Sequence, residues 1–156
     1  MIINKAFEII EDHSDDADFI GEIKEQIIDS AEAALNVKFP MSYRLFLKKY
    51  GLGDIFGEEI YGLGIEENGV PSMTWITKHF RREEGLPNHL ICFYFTGYDG
   101  VYLCLDCSKV QNQYDDNAEV VSFVSGLPIK EQNFEVEAGS FGEFLLNTLQ
   151  ESMEKS

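Results

Sequence analysis

The sequence predicts an α+β fold, a single domain in which an antiparallel or mixed sheet of about 4–6 strands is packed by N-terminal helices and a C-terminal helix. Three observations carry that expectation. Apolar residues in the first half repeat at helical spacing. The stretch from Leu90 to Val124 holds runs rich in aromatic and β-branched residues, and Ser140 to Glu143 reads as the start of a last helix. Strands grouped together, rather than alternating with helices, argue against a parallel sheet. The 156 residues suit one domain, and no repeat or low-complexity tract divides them.

The chain opens with a weakly helical stretch, Ile2 to Ile10, that runs into Glu8 to Asp18, where six acids meet no Lys or Arg. Residues 1–19 therefore read as an acidic helical extension with a solvated end. Ile20, Ile23, Ile27, Ala31, Ala34 and Leu35 follow a helical stripe and predict the first well-defined helix. It breaks at Val37-Lys38-Phe39-Pro40, because a residue before proline is pushed out of the α region. Pro40 opens a second helix, in which Tyr43, Phe46, Leu47 and Tyr50 recur at i, i+3, i+4 and i+7 until Gly51 ends it. These two helices form a hairpin with a shared apolar face.

From Gly51 to Gly69 the chain turns glycine-rich and acidic, with Glu59 to Leu63 as a short strand between turns. A third helix spans about Pro71 to Glu84, with Met73, Ile76 and Phe80 inward and Lys78, Arg81 and Arg82 outward. Gly85 stops it. Leu90 to Phe95 and Val101 to Leu105 are strands joined by a turn containing Asp99-Gly100, and Val120 to Val124 is a third. In the final helix Phe141, Phe144, Leu145 and Leu149 form the buried stripe, and Ser140 and Glu143 form a capping box.

Charge is the outlying property: 28 acids against 12 Lys plus Arg give a net charge of −16. Solubility alone is served by about 2–8 charges in a small domain. Such a surface repels nucleic-acid phosphates and anionic headgroups, and it attracts basic partners. No run reaches the roughly 18 apolar residues of a membrane span, and the N-terminus lacks the pattern of a signal peptide. Three cysteines are too few for a disulfide framework, so reduced thiols and a cytoplasmic location are expected.

Candidate chemistry is thin. Cys104 and Cys107 have C-x-x-C spacing and Cys92 lies on the neighbouring strand, but Cys104 sits mid-strand between leucines, as a packed small hydrophobe would. His13, His79 and His89 have no Ser or Cys nucleophile in a recognisable context. Neither G-x-G-x-x-G nor a Walker lysine occurs. Adjacent acids such as Glu58-Glu59, Glu66-Glu67 and Asp115-Asp116 would point to opposite faces of a strand and read as solvated. No enzymatic activity, metal or cofactor is expected. What survives is a stretch between Lys49 and Lys78 with five acids (Asp54, Glu58, Glu59, Glu66 and Glu67) and no Lys or Arg. With Phe56, Tyr61 and Trp75 among them, these residues form a candidate partner-binding face, an acidic rim beside aromatic anchors, although Tyr61 and Trp75 taken singly read equally as core residues.

Residues Ala31 to Gly51, read as Ala-Leu-Asn-Val-Lys-Phe-Pro followed by Tyr43-Arg44-Leu45-Phe46-Leu47 and Tyr50-Gly51, resemble the helix pair of the SUKH superfamily. Glu59-Ile60-Tyr61-Gly62-Leu63 is similar to the strand that follows it there. Thr96-Gly97-Tyr98-Asp99-Gly100 through Leu103-Cys104-Leu105-Asp106 resembles the family's central hairpin. The resemblance covers about residues 20 to 150 and looks most like the Smi/Knr-type branch. Gly51-Leu52-Gly53 stands where that family carries Gly-Gly. The resemblance implies an α+β fold without a catalytic motif. Many bacterial members are immunity proteins that bind and block a toxin encoded beside them, often a nuclease, and fungal relatives regulate cell-wall synthesis through protein contacts. It thus implies an antitoxin, acting as a monomer or weak homodimer, whose partner is a basic toxin, expected to be an LXG-type protein with a C-terminal RNase domain. A regulatory adaptor for an endogenous protein or peptide is the alternative.

Overall fold

The apolar stripes settle into helices wherever a cap or a tertiary partner can receive their ends. In the computed structural model, which describes residues 1–155, the order is α1 (Ile2–Asp12), β1 (Ala17–Phe19), α2 (Glu25–Leu35), α3 (Met41–Tyr50), β2 (Gly53–Ile55), β3 (Glu58–Ile60), α4 (Met73–Glu84), β4 (Leu90–Phe95), β5 (Val101–Asp106), β6 (Val120–Val124), β7 (Val136–Ala138) and α5 (Phe141–Lys155). The fold is α+β, as expected. Its strands divide into two antiparallel sheets, β1-β2-β3 and β4-β5-β6-β7. The Tyr61 N–H, just past β3, donates to the Phe93 carbonyl of β4 at 2.8 Å and links the two.

The N-terminal segment differs from an appended acidic extension. Ile3, Ala6, Phe7 and Ile10 of α1 are buried, with Ile3 packed close to Gly142 of α5. The acids after it run into β1, which pairs with β2. Burial of one apolar face outweighs the charge on the other.

The stripe assigned to α2 is partly corrected. The helix starts at Glu25, and its buried face is Ile28, Ala31, Glu32 and Leu35, while Ile27 is exposed. Ile20 and Ile23 precede the helix. The N–H groups of Ile20, Gly21 and Ile23 donate to the carbonyls of Leu52, Tyr50 and Lys48, so this segment runs along the end of α3 and satisfies its terminal acceptors. Gly21 supplies the positive φ of +102° that the path needs.

Helix α3 owes its start to a distant loop. Its N-terminal residue Met41 donates its N–H to the Asp115 carbonyl, and Ser42 donates both N–H (2.8 Å) and hydroxyl (2.7 Å) to the Asp116 carboxylate. A carboxylate at a helix N-terminus is favoured by orphan amides and by the helix dipole. Asp116 is therefore a cap and not a solvated acid. Arg44 joins α3 to α2 through Asp29 (2.6 Å) and Glu32 (3.0 Å), and Glu32 also accepts the Phe39 N–H.

Arg81 is likewise turned inward from the face assigned to it. Its guanidinium donates to the carbonyls of Leu35 at the end of α2 and Asn88 before β4. At the last helix, Ser140 Oγ accepts the Glu143 N–H as a capping box requires, but the Glu143 carboxylate reaches the Gly139 N–H instead of that of Ser140.

The core centres on Tyr43, which is fully buried between Phe39, Phe46, Phe93 and Phe141 at centroid distances of 5.0–6.2 Å. Its hydroxyl donates to the Tyr61 carbonyl at 2.8 Å. Tyr43→Phe keeps the ring and orphans that carbonyl. We expect it to cost about 1–3 kcal/mol of stability, read as a lower urea midpoint at unchanged m-value.

Candidate partner-binding face

Strands β2 and β3 form a two-residue hairpin whose turn, Phe56-Gly57, has positive φ at both residues (55° and 80°). That is the primed geometry matching strand twist, ordinarily filled by Asn-Gly. A phenylalanine there stores strain on the order of 1–3 kcal/mol. Phe56 is half-buried, its ring edge-on to His13 at 5.3 Å.

Strand alternation gives the two neighbouring glutamates different partners. Glu58 accepts the Tyr94 hydroxyl of β4. Glu59 lies directly opposite Asp54 in the β2–β3 register. Like charges paired across a ladder repel. Burial first, and then the Asp54 charge, raise the Glu59 carboxyl above the usual carboxylate range.

Between this hairpin, the β4–β5 turn and the C-terminal half of α5 lies a cleft of about 610 Å³. Glu58, Glu59 and Glu151 line it together with Tyr94, Phe95 and Tyr98. The Tyr94 hydroxyl is held well above its ordinary pKa by burial, by its bond to Glu58, and by the charges of Glu58 and Glu151. Lys155 is the cation at this cleft.

The sequence-derived face is thus divided. Asp54, Phe56, Glu58 and Glu59 are brought together on one hairpin. Tyr61, which the sequence leaves open between core and anchor, belongs to the core: it is 4% exposed and forms part of the cleft floor, because both its backbone groups are tied to α3 and β4. Glu66 and Glu67 lie on the loop before α4, where Glu67 pairs with Lys78 at 3.2 Å. Trp75 is half-buried on α4 and stacks on His79 at 4.9 Å. Tyr94, Phe95, Tyr98 and Glu151 escaped sequence reading. The signal for the aromatics was a strand ending Tyr-Phe beside a Tyr-Asp turn. Glu151 gave no signal, since its nearness to β3 is purely tertiary.

The cysteines lie in the core. Cys92 faces Cys104 across β4–β5, and all three are buried. Burial first, then the neighbouring Asp106 charge, push the Cys107 thiol up, which leaves it protonated and a poor nucleophile. Its neighbour cleft, between α2 and the start of β4, includes His89 and Asp29. No helix among the described residues is long and apolar enough to cross a membrane.

The acidic face is mounted on two hairpins and one helix, with carboxylates and aromatic rings side by side. The family model described as SMI1-KNR4 cell-wall (SUKH_5) matches residues 3–150, and the chain belongs to this family of the SUKH superfamily. Members are generally non-enzymatic and act through protein partners. The match takes in α1 and β1, which the resemblance from residue 20 had left outside.

Glu59 exposes a conflict between stability and charge. Its folded-state pKa is raised, so its contribution is favourable only while it is protonated and is lost as pH rises through that value. Glu59→Gln should therefore raise Tm slightly at pH 7, since the side chain is exposed and solvent screens its charge. That gain should vanish as pH falls below the normal carboxylate range, which thermal melts at pH 7 and pH 3 would show.

Proposed function

We propose that the protein is an immunity protein, a cytoplasmic antitoxin that binds a cognate basic toxin and covers its active site. The observation that carries this reading is the acidic hairpin, where Asp54 and Glu59 face each other and Glu58 and Glu151 share the adjoining cleft. Carboxylates held at a cost to stability make sense where a cationic partner relieves the repulsion. Membership in a family that works through protein partners supports it further.

In its finer form, the target is an LXG-type toxin with a C-terminal RNase domain. An RNase site binds a polyanion, so a protein of net charge −16 can occupy it as a mimic. Asp54, Phe56, Glu58 and Glu59 then meet the toxin, with Glu66, Glu67 and Trp75 as a separate patch on and before α4. The cell-wall description attached to the family favours a second reading, an adaptor for an endogenous protein. Gene neighbourhood separates the two, because an adaptor has no toxin beside it.

Co-expression with the adjacent toxin gene is the test. Growth should be restored and a stoichiometric complex should elute. Continued toxicity with no complex would contradict the proposal. Glu58→Lys with Glu59→Lys should slow association about tenfold or more at low salt, and the difference should narrow as salt screens the charges. Stopped-flow at two ionic strengths reads both.

A further inference from the structure

The cleft between the two hairpins and α5 differs from the rest of the acidic surface in carrying aromatic rings. Tyr98 is 75% exposed and Phe95 is 39% exposed, and both line the same 610 Å³ space as Glu58, Glu59 and Glu151. Exposed rings beside carboxylates are poorly matched to water and well matched to one side chain. A guanidinium is planar and weakly hydrated, offers a fork of donors to a carboxylate edge, and lies flat on an aromatic face. An ammonium does only the first part of this, as a strongly hydrated point charge.

We infer that this cleft receives an arginine side chain of the basic protein partner, its guanidinium drawn to the carboxylates that line it, Glu58, Glu59 and Glu151, and lying against an aromatic ring. The inference rests on the proposal that the protein binds a basic partner and narrows it to a residue and a place. Charge complementarity selects the occupant: the lining carries three carboxylates and one ammonium, Lys155. Lys155 sits exposed on the last described turn of α5. The Glu58 and Glu151 charges both bear on the Tyr94 hydroxyl at this cleft, and an entering cation would offset them. Tyr61 as a rigid floor and the Glu58–Tyr94 hydrogen bond keep the walls in place before the partner arrives.

The test uses the full chain, labelled with ¹⁵N, and three probe peptides: Gly-Arg-Gly-Arg-Gly, its lysine counterpart and its citrulline counterpart. The arginine peptide should give saturable shifts at the amides of Gly57, Glu59, Gly97, Tyr98 and Glu151. It should bind several-fold tighter than the lysine peptide, and the neutral citrulline peptide should not bind. Glu59→Gln with Glu151→Gln should weaken binding about tenfold, equivalent to about 1.4 kcal/mol. Glu135→Gln with Glu137→Gln removes the same charge outside the cleft and should leave binding within about twofold, as expected for distant screened charges. Equal affinity for the arginine and lysine peptides, equal losses in both double variants, or shifts centred elsewhere would overturn the assignment. If the Glu59/Glu151 variant captures the toxin as tightly as the parent, the cleft assignment fails and the immunity reading stands. If the arginine peptide seats as described but no toxin is captured, the immunity reading fails alone.

Discussion

Residue 61 has only two backbone polar groups, and each holds a different half of the molecule. Its carbonyl accepts the buried Tyr43 hydroxyl of α3, and its N–H donates to Phe93 of β4. Around that junction Tyr43, Phe46, Phe93 and Phe141 pack within 6.2 Å of one another's neighbours, bringing α3, β4 and α5 onto a common aromatic centre. Such ring pairs add about 0.5–1.5 kcal/mol each beyond their buried area, and a hydroxyl in that setting must find an acceptor. The fixed position of β3 against β4 follows, and with it the walls of the acidic cleft. Close approach of the chain to itself belongs to the same constraint. Gly62 lies against the Gly51 carbonyl, where a Cβ would have no room.

The 28 acids do not share one role. Asp116 caps α3, Asp29 and Glu32 hold Arg44, Glu84 accepts the Ser125 hydroxyl and the Gly126 N–H, and Glu11 accepts the Tyr50 hydroxyl. These carboxylates are part of the fold, each placed against donors. Asp54 and Glu59 face each other instead, and Glu151 adds charge beside the Glu58–Tyr94 pair. In the proposed reading, net charge would speed encounter with a basic partner from every direction, whereas these locally paired carboxylates would select where it docks.

Helices and the central meander were legible because their apolar periods were long and ended in Pro40, Gly51, Gly85 or Ser140. Short strands were not. β1 lies inside an acidic run and β2 begins at a glycine; each has only three residues, too few to show an alternation. Periodicity also misplaced the start of α2: Ile20 and Ile23 fit a helical wheel, but their backbone is needed to satisfy the end of α3. For the candidate face, the β2–β3 acids could be read from the absence of cations around them. The rings at the end of β4 and in the following turn were visible as residues, but their meeting with these acids and with Glu151 of α5, some 40 to 90 residues downstream, was not. Tyr61 and Trp75 show the remaining limit: a large aromatic side chain looks the same in sequence whether it anchors a core or a partner.

Hydrogen–deuterium exchange of the protein with and without its cognate toxin addresses the central claim most directly. Binding at the acidic cleft predicts slowed exchange confined to residues 54–60, 94–100 and the C-terminal half of α5, with the remainder of the chain unchanged. Protection centred on the far edge of the second sheet, at β7 and the segment before it, with the cleft exchanging as in the free protein, would contradict it.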